Sequence, residues 1–481
     1  MAQHSFYWHD YETFGLNPQR DRAVQFAGIR TDFDFNIIGE PLVIYCRPMP
    51  DNLPQPEACC VTGITPQLAM EQGLSEVEFI GLIHQQMAQP NTCTLGYNNL
   101  RFDDEVTRNL LYRNFYDPYG REWQMDNSRW DLVDLIRTMY ALRPEGINWP
   151  SNDKGKVSLR LDKLTVANGI EHDAAHDALS DVYATIALAK LIKQAQPKLF
   201  DFFLENRGKH EVRTLLELGT YKPLVHVSGM YGAEKNNLAL VLPICEHPTN
   251  KNGVIVYDLS VNPEVMLSLT AEEIKTRVFT ARKNLPKSVK RIPLKVVHIN
   301  KCPIIAPANV VRAEDAQRLN IDKAQCYAHL TLIKQRPDLK ALLAEVFADP
   351  DREPETDPDL MIYSGGFFGL HDKKIINEIR ELAPEQLADF NFSADDERLT
   401  DMFFRYRARN YPETLNDEEM QRWQVFCKQR LSDEDNGYLG FTDYQQTLQV
   451  LAEEGNAEQG LLEDLQQYGQ DLQDFLENNV N

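Results

Sequence analysis

Residues 6–12 read FYWHDYE and give the first strong structural signal in the chain. The run of aromatic side chains is typical of a β-strand. Side chains two positions apart on a strand share a face, so Asp10 and Glu12 project together. Two neighbouring carboxylates repel each other unless they are protonated or bind a cation, and their oxygens suit Mg²⁺ or Mn²⁺. The strand therefore indicates a candidate metal site, although an Asp-x-Glu pattern alone is not specific.

A second acidic motif, GYNNLRFDD, spans residues 96–104. A predicted strand at 93–97 runs into a loop, and a predicted helix begins near Asp103. An acidic residue at a helix N-terminus is often only a cap. A functional role requires that Asp103 or Asp104 face the first two carboxylates. The sequence leaves that choice open, and we assign Asp103.

The third motif, HDAAHDALSD, spans residues 172–181 and leads into a helix predicted for 177–192. Two registers compete, because His172–Asp177 and His176–Asp181 have the same spacing. Asp177 lies where an N-cap would be, whereas Asp181 lies inside the helix among apolar residues. A buried carboxylate is costly there unless it has a partner, and a metal ion would supply one. We therefore assign His176 and Asp181.

The wider pattern divides the chain into three predicted domains, 1–196, 197–349 and 350–481. In the first, strand-like runs (5–9, 25–31, 42–46 and 93–97) alternate with helical ones, which predicts an α/β domain. In the second, short β-rich runs predict a small barrel or sandwich. The acidic, proline-rich stretch 349–359 (DPDREPETDPD) is typical of a linker, and helical patterns resume after it.

The net charge of −22 is unevenly distributed. Residues 351–481 hold 30 Asp and Glu against 11 Lys and Arg, so residues 1–350 carry a net charge of only −3. The Lys275–Lys301 stripe contains nine Lys and Arg and no acid. Such a stripe is able to neutralise phosphates, but it also fits a protein partner or a plain solvated face. The sequence does not decide between these alternatives.

The composition also excludes several classes of protein. No apolar run approaches the ~20 residues needed to cross a bilayer, and no secretory signal is visible after Met1. The eight cysteines lack CxxC spacing, which favours free thiols over zinc knuckles or disulfides. We expect a cytoplasmic protein without a membrane segment.

Several blocks between residues 9 and 412 carry a resemblance to a known family: HDYETFG, TGITPQ, GYNNLRFDDEV, FYDPY, DNSRWDL, ALRPEGINWP, ANGIEH, AHDALSDVYATIALAKL, KPLVHVSGM, VHINKCP and YRARNYP. The order of the three acidic motifs resembles the DEDDh exonuclease superfamily, and the blocks resemble bacterial exonuclease I over nearly the whole chain. The resemblance implies an α/β ribonuclease H-like exonuclease domain, then a β-rich SH3-like domain and an all-α C-terminal domain. Only the last ~60 residues lack a matching motif.

The resemblance also implies a catalytic set for two-metal phosphodiester hydrolysis. Its members would be Asp10, Glu12, Asp103, His176 and Asp181. Two Mg²⁺ ions would be held by Asp10, Glu12 and Asp181, with Asp10 bridging the two ions. Mn²⁺ would be an acceptable substitute for Mg²⁺. Asp103 would support the second ion through water, and His176 would act as general base.

Substrate contacts are expected from aromatic residues, which stack on bases, and from arginines, which bind phosphates. The candidates are Arg108, Tyr119, Trp123, Arg137, Arg160 and, at the 3′-terminal nucleotide, Glu12. Arg160 matches a family arginine that contacts the scissile phosphate. The plainer alternatives are core aromatics and solvated arginines. The resemblance also places the Lys275–Lys301 stripe along the path of the strand, together with three further arginines, Arg405, Arg407 and Arg409.

The resemblance implies a protein partner as well, the acidic C-terminal tail of single-stranded DNA-binding protein. The residues expected in the corresponding basic pocket are Arg143, Arg312 and Lys334.

We expect a monomeric, nucleoid-associated 3′→5′ exodeoxyribonuclease that degrades single-stranded DNA to 5′-mononucleotides in DNA repair and recombination. One alternative is an exoribonuclease or RNA-trimming enzyme of the same superfamily, but such enzymes are usually short single-domain chains. Another is a catalytically silent single-strand-binding protein, although all five catalytic positions are occupied.

Overall fold

The computed structural model describes residues 4–152, 155–172, 176–348, 355–433, 436–455 and 457–477. The chain forms two compact units. The first consists of Met1–Ser128, His172–Tyr183 and Glu353–Asn481, and the second of Arg129–Glu171 and Ala184–Arg352. Each unit is therefore assembled from segments that are distant in sequence. Of the predicted linker at 349–359, residues 349–354 lie outside the described residues.

A five-stranded sheet contains the aromatic strand predicted near the start of the chain. Its strands are β1 (Ser5–Thr13), β2 (Ala23–Thr31), β3 (Leu42–Tyr45), β4 (Thr92–Gly96) and β5 (Ser128–Asp131). The order is β3-β2-β1-β4-β5, with β1 antiparallel to β2 and parallel to β4. β1 is therefore a central strand, which explains why its aromatic residues are buried on both faces.

Helices complete the first unit and confirm the predicted helical C-terminal region. The N-terminal helices are Pro56–Thr62, Pro66–Gln72, Glu76–Met87 and Asp103–Arg113, and helix Ala178–Ala195 begins in this unit. The C-terminal helices are Leu370–Glu381, Pro384–Leu387, Arg398–Asn410, Asp417–Ser432, Phe441–Glu454 and Gln459–Glu477.

The final helices share a core with the N-terminal part of the chain. Leu465 and Leu476 belong to the same buried apolar cluster as Phe14 and Val24, which lie next to or within the first two strands. Burial of this apolar surface is favourable by about 25 cal/mol per Å². The last ~60 residues, for which the sequence offered no motif, therefore stabilise the unit that contains β1.

A second five-stranded sheet lies in the second unit. Its strands are β6 (Leu224–Val227), β7 (Leu238–Glu246), β8 (Gly253–Asp258), β9 (Leu294–His298) and β10 (Ile304–Pro307). The order is β10-β6-β7-β8-β9, antiparallel throughout. The predicted β-rich region also contains helices: Pro197–Glu205, Lys209–Leu216, Glu264–Leu267, Ala271–Phe279, Ala313–Arg318, Lys323–Lys334 and Leu339–Val346. Two further helices of this unit are Leu132–Leu142 and Leu161–Ala167.

A buried ion network joins the two ends of the chain within the first unit. Asp51 accepts hydrogen bonds from Arg22 at 2.9 Å, Arg409 at 2.8 Å and Arg430 at 2.9 Å. Arg409 also binds Asp359 at 2.5 Å. The Asp51 side chain is fully buried, so these guanidinium groups, in place of water, compensate the cost of burying its negative charge.

This network corrects the predicted DNA contacts in YRARNYP. The Arg409 side chain is only 2% exposed, and Arg405 pairs with Asp357 and Asp359. Arg407 pairs with Glu419 at 2.7 Å. All three guanidinium groups are committed to protein carboxylates, so the prediction that they line a DNA path is wrong. Their role is to fasten the C-terminal helices to the rest of the first unit.

All eight cysteines are free thiols, as their spacing predicts. Within the described part of the chain, no helix has the length and apolar character required for a transmembrane span.

Candidate active site

β1 presents Asp10 and Glu12 on one face of the sheet. In the register with β2, Asp10 lies opposite Ala27 and Glu12 opposite Gln25. Both acids are half-buried, whereas Tyr11 between them is buried on the other face. The strand geometry thus brings two carboxylates together at a position that is not fully solvated.

The second motif brings Asp103 to the same strand. After β4, helix Asp103–Arg113 begins, and the Asp103 Oδ1 atom accepts a hydrogen bond from the backbone amide of Tyr11 at 3.1 Å. Asp104 instead binds Arg121 at 2.8 Å, with both side chains fully buried. Of the two neighbouring acids, Asp103 therefore faces the Asp10–Glu12 strand, and Asp104 belongs to a separate buried ion pair.

The third motif places Asp181 in the first turn of helix Ala178–Ala195. Asp177 caps this helix, because its Oδ1 atom accepts from the backbone amide of Ser180 at 3.0 Å. Gln25 supports the cap by donating to Asp177 at 3.4 Å and accepting from the Ala178 amide at 3.2 Å. Asp10, Glu12 and Asp181 each offer an oxygen, and these atoms lie within 4.8 Å of one another.

Two histidines accompany Asp181. The Nε2 atom of His172 contacts the Asp181 Oδ1 atom, and the His172 side chain is only 2% exposed. His176 is exposed and has a φ of 70°, a left-handed conformation that is uncommon outside glycine. Its backbone amide hydrogen-bonds the Asp181 carboxylate. His172 is thus committed to Asp181, while the His176 side chain faces solvent.

The electrostatics of the cluster favour a bound cation. Burial raises the pKa of Asp10 well above its ordinary value, and the Asp103 and Glu12 carboxylates raise it further. Burial, together with Asp181 and Asp103, raises the pKa of Glu12 to about 8. The pKa of Asp181 is also raised by burial, against the opposing effect of His172. A divalent ion would remove this repulsion, and an all-oxygen donor set suits Mg²⁺ or Mn²⁺. The residues present therefore fit a metal centre.

These shifts predict that added Mg²⁺ raises the melting temperature more at pH 8 than at pH 5.5. The folded-state pKa of Glu12 lies above its unfolded value, so without metal its contribution to stability is present below about pH 4.5 and is lost as the pH rises through about 8. Metal binding needs the deprotonated carboxylates and reverses this loss. Thermal unfolding with Mg²⁺ and with EDTA at both pH values measures the difference. Equal gains at the two pH values would contradict the prediction.

The substrate-binding candidates of the first unit differ in accessibility. Trp123 is 66% exposed, as expected for a ring available to a base. Tyr119 is partly buried beside Arg108, whose guanidinium lies 5.4 Å from its ring centre. Arg108 itself is 5% exposed and binds Glu105 at 2.8 Å and Glu122 at 2.7 Å. The donors of Arg108 are thus shared with protein carboxylates, and its expected phosphate contact stays a prediction.

The other candidates lie in the second unit. Arg137 binds Asp134 at 2.5 Å, and Arg160, with a 67% exposed side chain, binds Asp162 at 3.0 Å. Among the pocket candidates, Arg143 and Arg312 both bind Asp315, at 2.7 Å and 3.0 Å. Lys334 is exposed, with its ammonium 5.6 Å from the ring centre of Tyr221.

Sequence reasoning missed Gln25 and Arg121, and it considered His172 without assigning it the contact with Asp181. Gln25 braces the Asp177 cap, Arg121 draws Asp104 away from the cluster, and His172 holds Asp181. The pairing of Gln25 opposite Glu12 depends on the β1–β2 register, which the alternating pattern alone does not set. His172 was visible as a competing histidine, but its spacing from Asp177 suggested a different partner.

Family models match three consecutive parts of the chain. They are described as "Exonuclease" for residues 7–189, "Exonuclease I SH3-like domain" for 207–349 and "Exonuclease I C-terminal domain" for 356–472. Among curated proteins, exodeoxyribonuclease I of Escherichia coli is 47% identical over 98% of both chains. Exodeoxyribonuclease I of Haemophilus influenzae is 46% identical over 97% of this chain and 98% of its own.

Solved structures that are similar to this chain also come from exonuclease I enzymes. Exonuclease I of Methylocaldum szegediense is 49% identical with a TM-score of 0.94, covering 98% of this chain and 99% of its own. E. coli exonuclease I in complex with a dA16 oligonucleotide is 46% identical with a TM-score of 0.94, covering 98% and 100%. A zinc-bound form of an E. coli exonuclease I complex with single-stranded DNA gives a TM-score of 0.93 at 46% identity, again covering 98% and 100%.

Proposed function

This chain belongs to the exonuclease I family, and on that premise we propose that it hydrolyses single-stranded DNA from the 3′ end to 5′-mononucleotides in DNA repair and recombination. The observation that carries the proposal is the carboxylate cluster, in which Asp10, Glu12 and Asp181 offer oxygens within 4.8 Å of one another. The exonuclease domain is followed by an SH3-like and a helical C-terminal domain. For these domains we propose the boundaries 1–196, 197–349 and 350–481.

We assign Asp10, Glu12 and Asp181 as the residues that would hold two Mg²⁺ ions, with Mn²⁺ as a substitute. When bound, such ions supply activation of a water molecule and stabilisation of the leaving oxygen. Asp103 would support the ions from outside their direct ligands. Its Oδ1 atom accepts a hydrogen bond from the Tyr11 amide and so aligns the strand that carries Asp10 and Glu12.

His176 is the proposed general base. A base must reach the attacking water, and a neutral imidazole is able to accept its proton. Exposure favours His176, since the His172 side chain is buried against Asp181. His172 is then a positioning residue that orients Asp181. We expect the kcat of wild type to fall towards acidic pH and the kcat of His176→Ala to lose this pH dependence. Loss of that limb in His172→Ala instead would exchange the two roles.

Substrate contacts are proposed for Trp123, Tyr119, Arg137 and Arg160, with Glu12 near the 3′-terminal nucleotide. The complexes of E. coli exonuclease I with single-stranded oligonucleotides support single-stranded DNA as the ligand class. An exposed tryptophan fits that class, because every base has a face on which an indole stacks. Arg108 is also proposed to contact the substrate, and its guanidinium lies beside Tyr119 and donates to Tyr363.

Replacing Trp123 with alanine is expected to weaken binding of single-stranded DNA by about 1–3 kcal/mol, the value of one stacked base. Binding is measured by fluorescence anisotropy in EDTA, which prevents hydrolysis. Tyr327→Ala is the matched control, because Tyr327 is also an exposed aromatic residue, at 52%. Equal affinity of the Trp123 variant and wild type would remove Trp123 from the interface.

The proposed reaction is tested with 5′-labelled single-stranded DNA, matched RNA and duplex DNA, each with Mg²⁺ and with EDTA. We expect a ladder of shortened products from single-stranded DNA alone, abolished by EDTA. Preference for RNA would change the proposed substrate from DNA to RNA and leave the proposed hydrolysis of phosphodiesters unchanged. Binding without cleavage of any substrate would favour a silent single-strand-binding protein.

We further propose that the protein acts as a cytoplasmic, nucleoid-associated monomer and binds the acidic tail of single-stranded DNA-binding protein through Arg143, Arg312 and Lys334. In support, Lys334 is exposed, and the Arg312 side chain is 38% exposed while it pairs with Glu314 and Asp315. Binding of the tail peptide should weaken in Arg312→Ala. Unchanged affinity in that variant and in Lys334→Ala would rule out this pocket.

A further inference from the structure

Gln25 connects the two elements that carry the carboxylate cluster. It lies on β2 directly opposite Glu12 of β1, and on its other side it pairs with Tyr45 of β3. Residues that are directly opposite each other in neighbouring strands share a face of the sheet. Gln25 therefore lies on the face that presents Asp10 and Glu12, and it is only 2% exposed.

The carboxamide oxygen of Gln25 binds the start of helix Ala178–Ala195, which carries Asp181. Its Oε1 atom accepts a hydrogen bond from the Ala178 amide at 3.2 Å. The first amides of an α-helix have no carbonyl partner within the helix, so a buried one needs an acceptor from elsewhere. Because Ala178 is fully buried, Gln25 supplies that acceptor from the sheet.

The carboxamide nitrogen of Gln25 has two acceptors. Its Nε2 atom donates to the Tyr45 hydroxyl at 3.0 Å and to the Asp177 Oδ2 atom at 3.4 Å. The other oxygen of Asp177 accepts from the Ser180 amide. Hydrogen bonds therefore hold both oxygens of Asp177, which commits this acid to the helix cap.

The position of Asp181 depends on this helix start. The Asp181 amide donates to the backbone carbonyl of Asp177 at 3.0 Å and so closes the first turn. Fixing the Ala178 amide therefore fixes the point at which the Asp181 side chain leaves the helix. From there its carboxylate comes within 4.8 Å of the oxygens of Asp10 and Glu12.

Two different residues thus hold Asp181. His172 contacts the carboxylate itself, whereas Gln25 acts on the backbone through the helix start. Mg²⁺ demands oxygen ligands in near-ideal octahedral positions, so small displacements of one ligand weaken the whole site. A shift of the helix start would move the Asp181 oxygens while leaving every carboxylate chemically intact.

We propose that Gln25 is a positioning residue of the metal site. By holding the Ala178 amide, it sets the distance between Asp181 and the Asp10–Glu12 pair, and hence the affinity for divalent ions. The inference rests on the proposed function, in which these three acids hold the ions. Residues that orient metal ligands without touching the ion typically contribute a factor of about 10 to 100 to metal affinity.

The test compares Mn²⁺ binding by wild type, Gln25→Met and Gln25→Asn, measured by electron paramagnetic resonance without DNA. Methionine removes the carboxamide and keeps a long flexible side chain, whereas asparagine keeps the carboxamide but is one methylene shorter. Tyr45→Phe is the matched control, because it removes one partner of the Nε2 atom and leaves both hydrogen bonds to the helix in place. Thermal unfolding in EDTA gives the temperature below which each variant is folded, and binding is measured below it.

The dissociation constant for Mn²⁺ should rise roughly 10- to 100-fold in both Gln25 variants and equal that of wild type in Tyr45→Phe. With single-stranded DNA as substrate, the Mg²⁺ concentration that gives half the maximal rate should rise by a similar factor, whereas KM for the oligonucleotide should not change. A residue with a purely structural role would instead lower the amount of active protein. The maximal rate would then fall without a change in the Mg²⁺ concentration at half the maximal rate.

Unchanged Mn²⁺ affinity in a folded Gln25 variant would overturn the proposal. So would an equal loss in Tyr45→Phe, because the effect would then come from packing at the sheet edge and not from the helix start. Mn²⁺ binding without DNA does not depend on hydrolysis. Weaker Mn²⁺ binding in the Gln25 variants of a protein that fails to degrade DNA with Mg²⁺ would therefore refute the proposed function and retain the positioning role.

Discussion

Replacing Asp181 with alanine lowers kcat on single-stranded DNA by about 10³-fold or more. A metal ligand contributes several kcal/mol of transition-state stabilisation, and about 4 kcal/mol corresponds to about 10³-fold in rate. Asp181 is the member of the cluster that comes from a separate element, so its loss leaves the two acids of β1 as the remaining members of the cluster among the described residues.

The matched control is Asp177→Ala in the same helix turn. Asp177 acts as the N-cap, and losing a cap costs about 1 kcal/mol of stability while leaving the cluster intact. In EDTA the Asp181→Ala variant should be at least as stable as wild type, because it relieves repulsion among buried carboxylates. Lost activity is then separable from lost folding. Retained activity in Asp181→Ala, with loss in Asp177→Ala, would transfer the metal site to the competing register.

Replacing Asp51 with alanine is expected to lower the free energy of unfolding by about 3–5 kcal/mol, the cost of removing one partner from a buried ion pair. Burial alone would raise the pKa of Asp51, but Arg22, Arg409 and Arg430 outweigh it and hold this pKa well below its ordinary value. Without the carboxylate, these buried guanidinium groups lose a shared acceptor.

Denaturant unfolding measures this change, and Asp401→Ala provides the control. Asp401 pairs with Arg422 at 2.8 Å, but their side chains are 51% and 58% exposed, so the change should be below about 1 kcal/mol. A loss for Asp51→Ala as small as that of the control would show that the network does not fasten the C-terminal helices.

The local parts of the site could be predicted from the sequence because they depend on short-range geometry. Asp10 and Glu12 share a face because side chains alternate along a strand. The position of Asp181 follows from the periodicity of its helix. The strand and helix patterns predicted β1, β2, β4 and helix Ala178–Ala195 to within a few residues.

What the sequence could not supply depends on contacts between distant segments. Asp103 and Asp104 are adjacent and chemically identical, and only the position of Arg121 distinguishes them. Arg409 looked like a DNA contact because its partner Asp51 lies 358 positions away in the chain. Burial of Arg108 between Glu105 and Glu122 likewise required the packed structure. Charge patterns identify where arginines are, whereas tertiary packing determines whether their donors are available.

The central claim, that Asp10, Glu12 and Asp181 hold the divalent ions, is tested most directly by counting bound Mn²⁺ with electron paramagnetic resonance. Mn²⁺ suits the measurement because it is paramagnetic and prefers the same oxygen donors as Mg²⁺. We predict two bound ions per chain in wild type and in Asp177→Ala, with weakened binding in Asp10→Asn and Asp181→Ala. Unchanged Mn²⁺ binding in both of these last variants would contradict the account.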